Sequence, residues 1–288
     1  MPALDISRCF RAADFEATDL VVAKGSRRVS VCLPARDEAA TVGDIVSVVV
    51  RELGDGLGLV DEVLVVDDGS TDATAAEARM AGATVVGAAD VLVGAGPGRG
   101  KGEALWKAVA AATGDLLVFC DADLRGFDAR FVTGLLGPLL VADAGVQLVK
   151  GFYDRPLDGV AGAGGRVTEL VARPLLALLF PHLAHVLQPL GGEFAARREV
   201  LEAMPFVPGY GVDLALLVDV AARFGPDAIA QVDLGTRVHR NRPLGELAAS
   251  AEAVLRAALG RAGVAVRAPG PDGPDRPPLA EVSGYRRP

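Results

Sequence analysis

The stretch VSVCLPARDEAATVGDIVSVVV occupies residues 29–50 and indicates the fold. Residues 29–33 form a continuous apolar run that predicts a buried strand, and after Thr41 the apolar residues recur at helical spacing. The same alternation predicts further strands at 63–66, 83–86 and 116–120, and another strand is predicted at 228–232. Strands that are apolar throughout and separated by helices are typical of a parallel sheet covered on both faces. We therefore expect an α/β fold with a doubly wound, mostly parallel sheet.

Composition supports a globular protein. Of the 288 residues, 51% are hydrophobic and 23% are charged, which excludes disorder throughout the chain. The net charge of −8 argues against a nucleic-acid binder that neutralises many phosphates. No long charge-free apolar window and no apolar leader are evident, so we expect a cytoplasmic protein without a membrane partner. Three scattered cysteines match neither a disulfide framework nor a zinc site.

Acidic residues follow three of the predicted strands, at the edge where ligands of such sheets bind. Asp121 and Asp123 come directly after the strand predicted at 116–120. Two carboxylates at a strand end suit a hard divalent cation that also contacts substrate phosphates. Helix capping is the alternative interpretation of this Asp-x-Asp pattern.

A glycine-rich stretch, GAGPGRGKG, occupies residues 94–102 and contains Lys101. Gly102 and Glu103 follow the lysine where a Walker A loop requires Ser or Thr, so a P-loop is excluded. We interpret the stretch as a mobile loop that presents Lys101 to a diphosphate. A plain flexible connector is the alternative.

Three further candidate sites are weaker evidence when each is taken alone, and the last residues of the chain are rich in proline. Residues 164–168, GGRVT, begin a predicted helix with Arg166 and could bind an anion, but helix capping explains them equally well. His239 lies in a basic cluster, which is more typical of a structural or solvated histidine. His182 and His185 have no acidic neighbours that would complete a metal site. Six prolines within residues 268–288 predict a loose tail.

The chain resembles the glucosyl-3-phosphoglycerate synthases, a family of retaining nucleotide-sugar glycosyltransferases with the GT-A fold. VSVCLPARDEAATVG, VDEVLVVDDGSTDAT and the DAD of GDLLVFCDADL occur widely among GT-A enzymes. GGRVTELVARPLL, QPLGGE and HRNRPL are much more particular to this family. The matching phrases keep the family's order and cover about residues 29–250.

This resemblance implies a role for each part of the candidate site. Asp123 and His239 would bind Mg2+ or Mn2+, while the Leu190 carbonyl, Asp213 and Lys101 would act near the reacting groups. The phosphate and carboxylate of the acceptor, a small phosphorylated acid, would be bound by Gly165, Arg166, Thr168 and Asn241. The UDP-sugar donor would be bound by Pro34, Ala35, Arg36, Glu38, Asp68, Lys101, Asp121, Ala122, Asp123, Tyr210 and Asp213.

The implied reaction moves glucose from UDP-glucose to the 2-hydroxyl of 3-phosphoglycerate with retention at the anomeric carbon. No carboxylate nucleophile is evident, so the resemblance favours front-face attack assisted by the leaving phosphate. Asp213 stands where the family typically has Glu, and the glycine-rich segment just before GGRVTEL is shorter than in the family. Either difference could change the donor hexose or the phosphorylated acceptor.

The change of pattern after residue 150 and the proline-rich end divide the chain into four parts, to which the resemblance adds the binding roles. These are an N-terminal extension (1–28), a nucleotide-sugar-binding α/β half (29–150), a helical acceptor-binding half (151–262) and a flexible Pro-rich tail (263–288). A homodimer formed through the carboxyl-terminal half is implied as well.

Three alternatives remain at this stage. The same fold could use GDP-mannose or another hexose donor, or a different phosphorylated or tailoring acceptor. A membrane-bound transferase acting on polyprenyl phosphate shares the DDGST and DAD phrases, but the chain lacks an apolar membrane segment. A non-catalytic nucleotide-sugar-binding protein is disfavoured because both Asp123 and His239 are present.

Overall fold

The computed structural model describes residues 8–141, 145–155, 164–236, 244–267 and 273–288. Within these ranges one sheet contains eight strands. The strands are β1 Cys9–Arg11, β2 Val29–Ala35, β3 Glu62–Asp67, β4 Thr84–Gly87, β5 Leu116–Phe119, β6 Leu148–Asp154, β7 Phe194–Arg197 and β8 Ile229–Thr236. Their order across the sheet is β1-β8-β6-β7-β5-β2-β3-β4. Strand β7 runs antiparallel to β5 and β6, and the other described pairs are parallel.

Helices cover both faces of this sheet. Successive side chains of β3 point to opposite faces, so Leu64 and Val66 join one apolar cluster while Val63 and Val65 join the other. Helices α4 and α8 pack on the first face, and α2 and α5 pack on the second. The helices are α1 Ala17–Lys24, α2 Val42–Val49, α3 Thr74–Met80, α4 Lys101–Ala111, α5 Arg130–Val141, α6 Arg173–Leu179, α7 Arg198–Glu202, α8 Val212–Phe224 and α9 Ala248–Arg261.

The predicted α/β fold with a mostly parallel sheet is confirmed. The four strands predicted between residues 29 and 120 correspond to β2, β3, β4 and β5. The strand predicted at 228–232 corresponds to β8, and the remaining three strands, β1, β6 and β7, were not predicted. Because β6 crosses residue 150 and β1 lies within residues 1–28, the single sheet includes residues from three of the predicted parts. No described helix is long and apolar enough to cross a membrane.

The prediction of a loose tail is wrong for residues 273–288, which pack against the rest of the protein. Leu279 is fully buried, and the Trp106 indole N–H donates to the Pro277 carbonyl at 3.0 Å. The backbones of Phe206 and Arg276 exchange two hydrogen bonds of 2.9 and 2.7 Å. Proline restricts the unfolded chain, which reduces the entropy lost when such a segment docks. High proline content therefore does not by itself indicate a loose segment.

Candidate active site

A cavity of about 400 Å³ opens at the carboxyl ends of β2, β3 and β5, beside the first turn of α4. Strand β2 pairs with β3 on one side and with β5 on the other, so the chain leaves all three strands at one edge. This is the point where the strand order reverses, which is the usual ligand site of doubly wound sheets. The cavity is lined by Pro34, Ala35, Arg36, Glu38, Asp68, Gly100, Lys101, Ala104, Asp121, Ala122, Asp123 and Tyr210.

The turns after β2 and β3 hold one wall of the cavity in place. Asp37 adopts φ +55°, a left-handed conformation that Asp tolerates better than most residues. Its N–H donates to Ser70 Oγ at 3.0 Å, and its Oδ1 accepts from the Thr71 N–H at 2.7 Å. The Glu38 N–H donates to Thr74 Oγ1 at 2.8 Å. The two turns therefore form one hydrogen-bonded unit.

Asp68 follows β3 and faces the cavity. Its Oδ2 accepts from the Gly100 N–H at 3.3 Å and lies 3.8 Å from the exposed guanidinium of Arg36. Burial raises the pKa of this carboxyl above its usual range. The folded protein thus ionises Asp68 less readily than the unfolded chain does, and ionisation at neutral pH reduces stability.

Asp68→Asn is therefore expected to raise Tm at pH 7 by about 1–2 °C, while weakening donor binding. Since the pKa is raised on folding, the gain should shrink as pH falls through the raised pKa of the folded protein and disappear below the ordinary value of about 3.8, where both states of the wild type become protonated. Thermal melts at pH 7 and pH 4.5 test this.

Asp72→Asn is a control for which the expected change in Tm has the opposite sign. The Thr74 hydroxyl lowers the pKa of Asp72, so ionised Asp72 stabilises the fold and its replacement should lower Tm at pH 7. A lower Tm for Asp68→Asn at pH 7 would contradict the assignment of a destabilising charge to Asp68.

Lys101 is the first residue of α4 and lies between two carboxylates. Its Nζ is 3.0 Å from Asp213 Oδ2 and 3.3 Å from Asp121 Oδ1. Burial opposes its charge, but Asp121 and Asp213 outweigh this, so the pKa of Lys101 is raised. Lys101 is therefore a fixed cation at the cavity wall at any neutral or mildly alkaline pH.

Gly102 explains why a P-loop sequence does not fit here. A Cβ at this position would lie 1.7 Å from the Val207 carbonyl oxygen, so only glycine allows this backbone approach. The close contact joins the start of α4 to the chain preceding α8. Lys101 and Asp213 come from these two regions, and the contact helps to place them together.

A second lysine, Lys150 in β6, is buried next to Asp213. It is 3% exposed, its Nζ donates to the Gly191 carbonyl at 2.5 Å, and Asp213 Oδ1 is 3.9 Å away. Burial lowers the pKa of Lys150, although the Asp213 charge acts in the opposite direction. Asp213 Oδ1 has no hydrogen-bond donor among the described residues. That buried oxygen is able to accept a hydrogen bond from a ligand hydroxyl.

Sequence reasoning did not assign a role to Lys150, which links Asp213 to the loop that contains Leu190. The available signal was a charged residue inside the apolar run of LVKG, because buried lysines usually have a specific partner.

Asp121 and Asp123 meet the chemical requirements of a divalent cation site. Both line the cavity directly after β5, and carboxylate oxygens are the ligands that Mg2+ and Mn2+ prefer. Among the described residues, no three His, Cys, Asp or Glu side chains form a complete metal cluster. Cations that bind nucleotide phosphates often use only one or two protein carboxylates, so the donor set fits such an ion. The predicted ligand His239 lies outside the described residues.

The chain is similar to known glycosyltransferases in sequence. The family model for glycosyl transferase family 2 matches residues 30–154. The glucosyl-3-phosphoglycerate synthase of Mycolicibacterium smegmatis is 56% identical over 251 residues, which are 85% of this chain and 81% of that protein. The chain belongs to the glucosyl-3-phosphoglycerate synthase family. The family predicted from the sequence motifs is thus confirmed.

Solved structures of the glucosyl-3-phosphoglycerate synthase from Mycobacterium tuberculosis share the fold. One, in complex with Mn2+, UDP-glucose and phosphoglyceric acid, is 48% identical with a TM-score of 0.83. Another, in complex with Mn2+, UDP and glucosyl-3-phosphoglycerate, is 47% identical with a TM-score of 0.83. Each comparison covers 92% of this chain and 95% of the other chain.

The structure gathers most of the donor residues predicted from this family around the cavity. Of that set, only Asp213 is not part of the lining, because it lies behind Lys101. Leu190 also lies off the cavity lining and packs against the apolar cluster around α4 and α8. Their roles stay predictions.

The predicted acceptor residues lie on a separate segment of the synthase fold. Gly165 has φ +73° and precedes the helical turn that contains Arg166 and the buried Thr168. None of these three is among the residues that line the cavity. Asn241 lies outside the described residues.

Proposed function

We propose that this chain transfers glucose from UDP-glucose to the 2-hydroxyl of 3-phosphoglycerate with a divalent metal, Mg2+ or Mn2+. The observation that carries the proposal is the cluster of Lys101, Asp121 and Asp123 on the wall of the cavity. A cation and two carboxylates at the switch point of the sheet suit a nucleotide diphosphate and its metal. The M. smegmatis relative, at 56% identity, is a glucosyl-3-phosphoglycerate synthase.

Donor binding divides between two walls of the cavity. Arg36, Asp68 and the hydrogen-bonded turns after β2 and β3 bind the uridine. Lys101 binds the diphosphate, and Asp123 with His239 would hold the metal. When bound, the metal would supply positive charge that stabilises the leaving diphosphate. Lys101 supplies a second positive charge without any change of protonation.

Asp213 and Leu190 orient the glucosyl group. The Leu190 carbonyl and Asp213 would face the donor sugar beyond Lys101, and the buried Asp213 Oδ1 would accept a hydrogen bond from a sugar hydroxyl. The bond from the anomeric carbon to the UDP oxygen breaks, and the bond to the acceptor oxygen forms on the same face. The proton of the 2-hydroxyl passes to the leaving UDP. The reaction therefore needs no carboxylate nucleophile and retains the anomeric configuration.

Acceptor binding is assigned to Gly165, Arg166, Thr168 and Asn241. Arg166→Ala is expected to raise KM for 3-phosphoglycerate by about 10- to 100-fold, because a charge-assisted contact to the phosphate is lost. KM for UDP-glucose should change little. Initial-rate kinetics in both substrates measure the two constants.

Arg173→Ala is the matched control for this prediction. Arg173 lies one helical segment further on and forms an exposed ion pair with Glu169 at 3.2 Å. Its loss should leave both KM values unchanged. An equal rise in both KM values for Arg166→Ala would contradict the assignment of the acceptor phosphate to Arg166.

The organisation of the chain follows from the same proposal. Residues 29–150 bind the nucleotide sugar and residues 151–262 bind the acceptor, with 1–28 and 263–288 as flanking parts. We propose a cytoplasmic homodimer formed through the carboxyl-terminal half.

Nucleotide release from UDP and GDP sugars, with and without 3-phosphoglycerate, tests the proposal. UDP release that requires both UDP-glucose and 3-phosphoglycerate, with a hexosyl-phosphoglycerate in the mass spectrum, is the expected result. Turnover of another hexose instead would overturn the choice of donor and point to Asp213. Donor binding without turnover on this acceptor would overturn the choice of acceptor.

A further inference from the structure

Arg276, in the C-terminal segment, binds the loop that leads into the cavity. Its Nε and Nη2 donate to the two oxygens of Glu103 at 2.6 and 3.1 Å. Its Nη1 donates to the Ala95 carbonyl at 2.7 Å, and Nη2 also donates to the carbonyls of Gly96 and Pro97 at 3.2 and 3.0 Å. One guanidinium thus joins three consecutive loop carbonyls to a carboxylate on α4.

Two further contacts hold the guanidinium of Arg276 in position. The backbone of Arg276 pairs with that of the fully buried Phe206, and the guanidinium carbon lies 5.5 Å from the centroid of the Trp106 ring. Glu103, its ionic partner, is 1% exposed. Arginine suits this place because its planar fork donates in several directions at once.

The loop that Arg276 binds contributes directly to the cavity. Residues 94–100, here called the glycine loop, end at Gly100, which lines the cavity together with Lys101. The Gly100 N–H also donates a hydrogen bond to Asp68 Oδ2, after β3, at 3.3 Å. Four of its seven residues are glycines, which lack a Cβ and therefore leave the unbound loop many accessible conformations. Ordering such a loop costs conformational entropy.

We propose that Arg276 is a positioning residue that orders the glycine loop and the first turn of α4 before the nucleotide diphosphate binds. Arg276 does not line the cavity, so it acts through the loop and Glu103 rather than on the substrate. The inference rests on the proposed function for the identity of the nucleotide. Without Arg276 the glycine loop would become ordered only when the donor binds. The conformational entropy lost in that step would weaken affinity for the donor and leave the acceptor site unaffected.

Two Arg276 variants and one control test this inference by calorimetric titration with UDP and Mn2+ and by steady-state kinetics. Arg276→Ala is expected to raise the Kd for UDP and the KM for UDP-glucose about tenfold, with kcat and the acceptor KM near wild type. Arg276→Lys keeps one charge beside Glu103 but loses the fork, so it should restore only part of the affinity.

Arg287→Ala is the matched control from the same segment. Arg287 pairs with Glu202 on α7 and has no contact with the glycine loop among the described residues. It should bind UDP as the wild type does. Lys107 Nζ lies 3.7 Å from Glu103 Oε1, so the buried carboxylate keeps a cationic neighbour in Arg276→Ala. If Arg276→Ala nevertheless fails to fold, the UDP affinity of Arg276→Lys tests the inference instead.

Two outcomes would overturn the inference. One is unchanged UDP affinity in folded Arg276→Ala, or in Arg276→Lys if the alanine variant does not fold. The other is an equal loss of affinity in Arg287→Ala, which would show that only docking of the whole segment matters. UDP binding by the wild type without turnover on 3-phosphoglycerate would overturn the proposed acceptor, and the expected pattern of UDP affinities would still support the role of Arg276.

Discussion

Asp123→Ala is expected to reduce glucosyl transfer by about 10³-fold and to remove its dependence on added Mn2+. Asp123 lies directly after β5 on the cavity wall, where its carboxylate would contact both the cation and, through it, the diphosphate. Loss of a hard oxygen ligand removes the charge that stabilises the leaving group. Turnover at increasing Mn2+ concentrations and Mn2+ binding in the presence of UDP measure the two effects. His239→Ala is expected to behave in the same way.

Asp128→Ala is the control for this charge change. Asp128 lies five residues further along the chain and pairs with Arg130 in an exposed ion pair of 2.9 Å. Its replacement should leave turnover and Mn2+ binding at wild-type values. Full activity of folded Asp123→Ala would remove Asp123 from the metal site.

Lys101→Met is expected to lower kcat by about 10²- to 10³-fold and to weaken UDP binding. The methionine side chain has a similar length but no charge, so Asp121 and Asp213 would face each other without the cation between them. Because the pKa of Lys101 is raised, loss of its charge does not limit wild-type activity in the alkaline range. Rates between pH 7 and 9 should therefore show no fall due to this group.

Lys24→Met controls for loss of a buried lysine as such. Lys24 is 6% exposed and its Nζ lies 2.7 Å from Asp61 Oδ2, remote from the cavity lining. It should reduce Tm without changing kcat, whereas Lys101→Met should change kcat in folded protein. A wild-type kcat for folded Lys101→Met would mean that another group provides the positive charge for the diphosphate.

Strands β2, β3 and β5 could be predicted because burial on both faces makes each of them a nearly continuous apolar run. Residues 63–66 illustrate this, since alternate side chains enter the two clusters. Strand β7 has only four residues, Phe194–Arg197, and its antiparallel pairing depends on neighbours distant in the sequence. Local pattern carries no information on that pairing, so β7 was missed.

Much of the candidate site could also be predicted, because residues that follow parallel strands meet at one edge. Asp68, Asp121 and Asp123 were placed on this basis and line one cavity. The contributions of Lys150 and Arg276 depend on packing between distant segments, which no local pattern shows. Proline content also gave the wrong expectation for residues 273–288, since docking depends on contacts such as that between Trp106 and Pro277.

Trp106 is the only tryptophan of the chain, and it lies on the same helix as Lys101. Its indole is fully buried and donates to the Pro277 carbonyl, so its surroundings depend directly on the C-terminal segment. Tryptophan fluorescence therefore arises from a single, known position in the fold. Undocking of the segment would expose the indole to water and shift its emission to longer wavelength, giving an optical signal for docking in solution without any label.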